Sequence, residues 1–196
     1  MEVVTIKRKQ LHVDYYPHIL DPISATECYE MLDQNALWNK DRSVKVRNTA
    51  VYGNPDCSYE SGSSEYSNDR QTLPWELLPQ LIPLKDIVKL LTGQECNFCV
   101  IQRYPNGRIG INPHKDREIP DHSLICGMSL GTTRILRFIP PPWLKDTEAE
   151  VDIPLDAGSL YIMRPPTNKY WMHSIVKEPE ITEPRISLTF RLIPQE

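Results

Sequence analysis

His114 and Asp116, two residues apart in "NPHKDRE", bring together an imidazole and a carboxylate, both metal-ligating groups. On an extended strand, residues i and i+2 share a face, so the pair would present both groups to one point. Two histidines and one carboxylate on one face of a metal, with open positions opposite, is the ligand set of non-haem Fe(II) centres. A third ligand is then required. The histidines are His12, His18, His114, His122 and His173, and His173 stands out because "KYWMHSIV" is otherwise an apolar strand. A lone histidine on such a strand is more often a satisfied core residue, so pattern alone leaves it open.

The stretch "RISLTFR" alternates strictly. Arg185, Ser187, Thr189 and Arg191 share one face, and Ile186, Leu188, Phe190 and Leu192 the other. The apolar face belongs to a core. A solvated edge would account for the polar face, but two arginines flanking hydroxyls also form a cleft that grips a small dicarboxylic acid, one guanidinium fork at each end. On an ideal strand the two lie roughly 20 Å apart, at ~3.3 Å per residue, so their side chains must lean inward.

These residues need a scaffold. With 196 residues, 40% of them apolar, the chain can bury one sizeable core, and a single globular domain is expected. A net charge of −4 excludes a protein that coats nucleic acid indiscriminately but allows a local basic patch. No apolar run suits a signal peptide or the ~20-residue span of a membrane helix, so a soluble intracellular protein is expected. The five cysteines are odd in number and scattered, which suits reduced thiols. Cys96 and Cys99 form a C-x-x-C, but "CNFCVIQRY" reads as a buried strand, and no second pair exists; they are taken as packing residues. A helix is expected over 22–38, capped by Ser24 with Glu27 three residues on. A second is expected within 74–93, interrupted near Pro83 and ended by Gly93. Residues 39–74 read as polar loops or short hairpins. Short strands are expected at 96–104, 124–130, 134–139, 159–163, 170–176 and 185–193, the pattern of a β-sandwich, jelly roll or barrel.

Taken together, "NFCVIQRYPNGRIGINPHKDRE", "GSLYIMRPPTNKYWMHSI" and "EPRISLTFRLI" resemble the core of the AlkB family of Fe(II)- and 2-oxoglutarate-dependent dioxygenases, nearest to its eukaryotic DNA-repair homologues. "TAVYGN" with Tyr59 extends the likeness upstream. The resemblance implies a mainly β fold, a double-stranded β-helix (jelly roll) over 96–196, with N-terminal helices and a nucleotide-recognition lid over 1–95. It implies His114, Asp116 and His173 as iron ligands, Arg185 with Tyr104 on the distal carboxylate of 2-oxoglutarate, and Arg191 on the carboxylate beside the keto group. Gln102 and Ser187 stand where the family usually has asparagine; both can still hydrogen-bond the cosubstrate.

The implied reaction is oxidative demethylation of an N-alkylated base such as 1-methyladenine or 3-methylcytosine. 2-Oxoglutarate becomes succinate, and hydroxylation of the methyl group releases formaldehyde. Glu118 would border the cationic base, and Tyr52, Tyr59 or Tyr66 would stack on it, Tyr59 foremost. Lys40, Arg42, Lys45 and Arg47 form a basic cluster suited to phosphates. "DRSVKVRN" offers only valines as a wedge, which favours single strands. The expected partners are damaged DNA or RNA, 2-oxoglutarate and O2, for a monomer of nucleus or cytoplasm with no membrane contact. Two alternatives remain open: a hydroxylase of the same machinery acting on a protein or small metabolite, and a non-catalytic jelly-roll binding module.

Overall fold

Alternation through residues 185–191 does produce a strand with two unlike faces, and the rest of the chain is built around it. The computed structural model describes residues 2–39, 45–55, 57, 72–117 and 119–193. In chain order the elements are β1 (Val4–Arg8), β2 (Leu11–Tyr16), α1 (Pro22–Asn35), β3 (Asn48–Gly53), β4 (Leu73–Pro74), α2 (Leu81–Thr92), β5 (Phe98–Tyr104), β6 (Ile111–His114), β7 (Ile125–Gly131), β8 (Arg134–Ile139), β9 (Val151–Leu155), β10 (Ser159–Met163), the short α3 (Thr167–Tyr170), β11 (Met172–Ile175) and β12 (Arg185–Arg191). One sheet has eight strands in the order β1-β2-β10-β7-β12-β5-β3-β4, and the other has four in the order β6-β11-β8-β9. From β5 onward the chain alternates between the sheets, only β8 and β9 following each other within one. This is the winding of a double-stranded β-helix, the jelly roll expected from the sequence.

β12 lies between β7 and β5. Its Ile186, Leu188 and Phe190 are fully buried in a cluster with Leu32 of α1 and Leu81, Leu84 and Val88 of α2, so the helices cover the outer face of the larger sheet. The opposite face of β12 looks into the space between the sheets, above a second cluster that includes Leu136, Phe138, Trp171 and Ile175. Helix α1 starts one turn earlier in its capping logic than Ser24 suggests. Asp21 is the cap, its Oδ1 accepting from the N–H groups of Ile23 (3.0 Å) and Ser24 (3.1 Å), with Pro22 at the first helical position. Pro83 does not interrupt α2: it is the third helical residue, where a backbone N–H would have no intrahelical acceptor. Gly93 ends this helix at φ 73° and donates to the Lys89 carbonyl (2.8 Å), as a left-handed cap must.

The N-terminal half supplies more sheet than the sequence pattern shows. β1 and β2 form a hairpin that joins the larger sheet beside β10, and β3 within the supposed loop region 39–74 is buried along its whole length beside β5. The larger sheet therefore does not begin at residue 96. Three short strands carry proline, β4 with Pro74 at an edge of the larger sheet, and β6 with Pro113 and β9 with Pro154 at the two edges of the smaller one, where a missing N–H breaks no ladder. Among the described residues no helix is long and apolar enough to cross a membrane.

Candidate active site

His173 on β11 lies directly opposite His114 on β6 in the antiparallel register, and the two ring centroids are 4.3 Å apart. Asp116 does not reach them by the pleat of a strand, since β6 ends at His114. Asn168 places it instead: its Oδ1 accepts from the Asp116 N–H (2.9 Å) and its amide donates to the Asp116 carbonyl (2.7 Å). One ligand atom from each of His114, Asp116 and His173 then lies within 4.8 Å of the other two. The His114 Nδ1 is 2.9 Å from the Asn112 carbonyl, which can only accept; that nitrogen carries the proton, leaving Nε2 as a lone-pair donor.

The charge states suit a cation. Burial pushes the Asp116 carboxyl up, but Arg191, then His173 and His114, outweigh it and hold it below the usual carboxylate value. Arg191 Nη2 is 3.0 Å from Asp116 Oδ1. Burial pulls His173 down to about 3, with His114 and Arg191 adding to it against Asp116, so the imidazole is neutral as a ligand must be. Asp116 Oδ2 and His173 Nδ1 are buried with no hydrogen-bond partner among the described residues. A buried polar atom left unpaired costs about 1–3 kcal/mol, and a bound divalent ion would relieve it. The residues therefore fit iron.

The facing wall fits a dicarboxylate. Arg185 and Arg191, at opposite ends of β12, both line a cavity of about 810 Å³ together with the metal ligands, Gln102, Tyr104 and Ser187. Arg185 is buried, donates through Nε to Ser129 Oγ (2.8 Å), and lies 5.2 Å from the centre of the Tyr104 ring. Its Nη1 has no partner among the described residues. Burial lowers its pKa, Tyr104 and Tyr161 oppose this, and Arg134 adds to it; a carboxylate would complete the site. Gln102 Oε1 accepts from the Tyr104 hydroxyl (2.9 Å), which orients that phenol. Tyr161, which sequence reading passed over, also lines the cavity, and Gly127 makes room for it: a Cβ there would lie 2.1 Å from its ring.

Arg134 is a further residue that the sequence did not reveal. It is 0% exposed, yet donates to the carboxylate of Glu178 (3.1 Å) and to the carbonyls of Asn106 (3.2 Å), Gly107 (3.3 Å), Ile109 (3.1 Å) and Val176 (2.6 Å). It ties the turn after β5 to the segment after β11, behind Tyr104. Its substitution by Met should cost about 3 kcal/mol of stability, because four carbonyls and a largely buried carboxylate lose their donor together. Urea unfolding with an unchanged midpoint would refute this.

Of the proposed base-stacking tyrosines, Tyr52 must be set aside. It is 0% exposed in the helix-side core, on the opposite face of β3 from Thr49, which lines the cavity, and its hydroxyl accepts from the Leu37 N–H (2.9 Å). Tyr59, Tyr66, Glu118, Lys40 and Arg42 lie outside the described residues. Lys45 and Arg47 line the cavity, as do Arg108, Lys115, Arg117 and Lys177. Cys96, Cys99 and Cys126 are buried, burial pushes each thiol up, and among the described residues none joins a metal-holding group.

A jelly roll with a facial triad on one wall and buried arginines on the other defines a class, the metal-dependent oxygenases that take a dicarboxylate cosubstrate. The sequence matches the family model "2OG-Fe(II) oxygenase superfamily" over residues 12–191. The human DNA oxidative demethylase ALKBH2 is 35% identical over 157 residues, covering 75% of this chain and 56% of that protein. Human alpha-ketoglutarate-dependent dioxygenase alkB homolog 3 is 31% identical over 189 residues, covering 91% of this chain and 65% of that protein. The solved structure of OsALKBH1 has the same fold, with a TM-score of 0.56 at 12% identity, covering 96% of this chain and 100% of that one. The chain belongs to the 2OG-Fe(II) oxygenase superfamily and, within it, to the AlkB family. It spans less than two thirds of the length of either human relative. The superfamily uses Fe(II) and 2-oxoglutarate, and the His114, Asp116 and His173 set fits the metal.

Proposed function

We propose that the chain oxidatively demethylates N-alkylated bases of single-stranded nucleic acid, of the 1-methyladenine and 3-methylcytosine type, as a monomeric unit of nucleus or cytoplasm. One observation carries this. Lys45, Arg47, Arg108, Lys115, Arg117 and Lys177 line the cavity beyond the two cosubstrate arginines, while the protein as a whole has a net charge of −4. Cations concentrated at one opening of an acidic protein suit a polyanion that enters there. The two named human relatives, one a DNA oxidative demethylase, point the same way.

When bound, iron and 2-oxoglutarate would supply the oxidation, in which O2 is consumed, the cosubstrate becomes succinate and CO2, and a C–H bond becomes C–OH. On a methyl group attached to a ring nitrogen that product is a hemiaminal, which expels formaldehyde and restores the base. The chain's own residues do the rest. His114, Asp116 and His173 would hold the metal, Arg185 and Tyr104 the distal carboxylate, and Arg191 the other, with Gln102 and Ser187 hydrogen-bonding between them. Tyr59 would stack on the flipped base and Glu118 would face its positive charge.

Formaldehyde release from methylated oligonucleotides tests this reading. Glu118→Gln keeps the shape of the side chain and removes its charge. At ~4 Å and an effective dielectric near 20 a charge pair interacts by ~4 kcal/mol, only part of which distinguishes bound from free states. A loss of roughly tenfold to a hundredfold in kcat/KM is expected on 1-methyladenine, and much less on neutral 3-methylthymine. Equal losses on both would remove Glu118 from base recognition; succinate formed only with a protein or metabolite would overturn the substrate.

A further inference from the structure

We propose that the indole of Trp143 is a stacking platform for a base neighbouring the one held in the cavity, on the same nucleic-acid strand; this rests on the nucleic-acid reading above. Trp143 lies in the short 3-10 turn Pro142–Leu144 that follows β8. Ile139, the last residue of β8, pairs with Met172 of β11, and His173 beside it pairs with His114 of β6. The turn therefore leaves the smaller sheet at the end that carries the metal ligands. It does so two strand spacings from His114, on the order of 10 Å at ~4.8 Å per strand. Trp143 follows Ile139 by four residues, so the turn that carries it starts on the side where a nucleotide next to the flipped one would lie.

A single exposed apolar side chain is ordinary on a protein surface. Two further features distinguish this one. The indole is 65% exposed yet oriented, standing edge-on to Tyr170 with ring centroids 6.3 Å apart and planes at 87°. A polar path also joins it to the cavity: Lys115, which lines the cavity, donates to the Lys169 carbonyl (2.6 Å), and Lys169 adjoins Tyr170. Lys115 and Lys169, the latter paired with Asp121, thus stand between the metal end and the ring. Of the acidic residues nearby, Asp121 pairs with Lys169 (2.7 Å), Glu150 with Arg137 (3.1 Å), and Glu148 accepts from the Lys9 N–H (3.5 Å), while Asp146 stands exposed three residues from the ring. An open aromatic face reached along cations matches how single strands are held, phosphates on charge and bases on rings. Trp143 with Tyr170 and Pro142 beside it is a small apolar area for a folded protein partner.

The test is a cycle of substitutions on both molecules. Binding of a short single strand with a central 1-methyladenine is measured without O2, on the chain loaded with Fe(II) and 2-oxoglutarate. Trp143→Ala should weaken it about fivefold to twentyfold, the lower part of the range for one base on one aromatic ring, and Trp143→Phe should bind nearly as wild type. An abasic residue in place of one flanking base, which keeps the phosphates, should weaken wild type by a similar factor and Trp143→Ala no further. Losses that multiply, or a Trp143→Ala dissociation constant equal to wild type, would overturn the platform while leaving the cavity reading intact. Failure of the wild type to bind any methylated strand would overturn both.

Discussion

Alanine at His114 or His173 is expected to end turnover, a loss of about a thousandfold or more in succinate formation, while the metal-free protein still unfolds cooperatively. With three protein ligands on one face there is no fourth to compensate, and even residues that only support metal ligands cost about 10–100-fold when removed. Asp116→Ala should behave differently in one respect. It leaves the buried Arg191 guanidinium without the carboxylate 3.0 Å away, and removing one partner of a buried pair costs about 3–5 kcal/mol. This variant should therefore lose stability as well as activity. Asp116→Asn, which keeps shape and part of the hydrogen bonding, should separate the two effects. Iron content and succinate formation read the metal role, and thermal unfolding without metal reads the structural one. Full activity in any of these variants would remove that residue from the metal.

Some of this site was legible in the sequence for sound reasons. The period-two alternation of 185–191 identified both the core face and the arginine face of β12, because a strand packed against helices on one side and a polar cavity on the other must alternate. The His114–Asp116 spacing pointed to the correct pair through an incorrect geometry: the strand stops at His114, and the clamp that positions Asp116 comes from Asn168, which local spacing does not signal. β3 was hidden because "NTAVYG" is buried on both faces and so shows no alternation, and it fell within a region read as loops or short hairpins rather than packed core. β1 was hidden for the opposite reason, being an exposed edge strand with only Ile6 partly covered. Prolines concealed β6 and β9, since edge strands accept what central strands reject. Nothing in "TTRILRFIP" distinguishes Arg134, fully buried, from Arg137, which pairs with Asp152 at the surface. That difference is set by where the turn after β5 packs, a contact between residues far apart in the chain.

Arg185 should show activity and stability moving in opposite directions. Its guanidinium is desolvated, burial lowers its pKa, and Nη1 finds no partner among the described residues, so folding places a cation where only an incoming carboxylate completes its hydrogen bonding. Arg185→Met removes that burden from the protein without cosubstrate. Its thermal midpoint should stay the same or rise, since replacing a buried charge by an apolar side chain of similar length is often neutral or stabilising. The apparent requirement for 2-oxoglutarate should rise sharply. A buried carboxylate that loses its charged partner costs about 2–5 kcal/mol, equivalent to roughly 30-fold to a few thousandfold in concentration. Arg185→Lys should fall between the two, keeping the charge but losing the donor fork and the Nε bond to Ser129. Succinate formation across a range of 2-oxoglutarate concentrations, beside melting curves of the metal-free variants, reads both quantities. A lower midpoint with an unchanged 2-oxoglutarate requirement would make Arg185 a structural arginine like Arg134, and the distal carboxylate would then need another partner on the same wall.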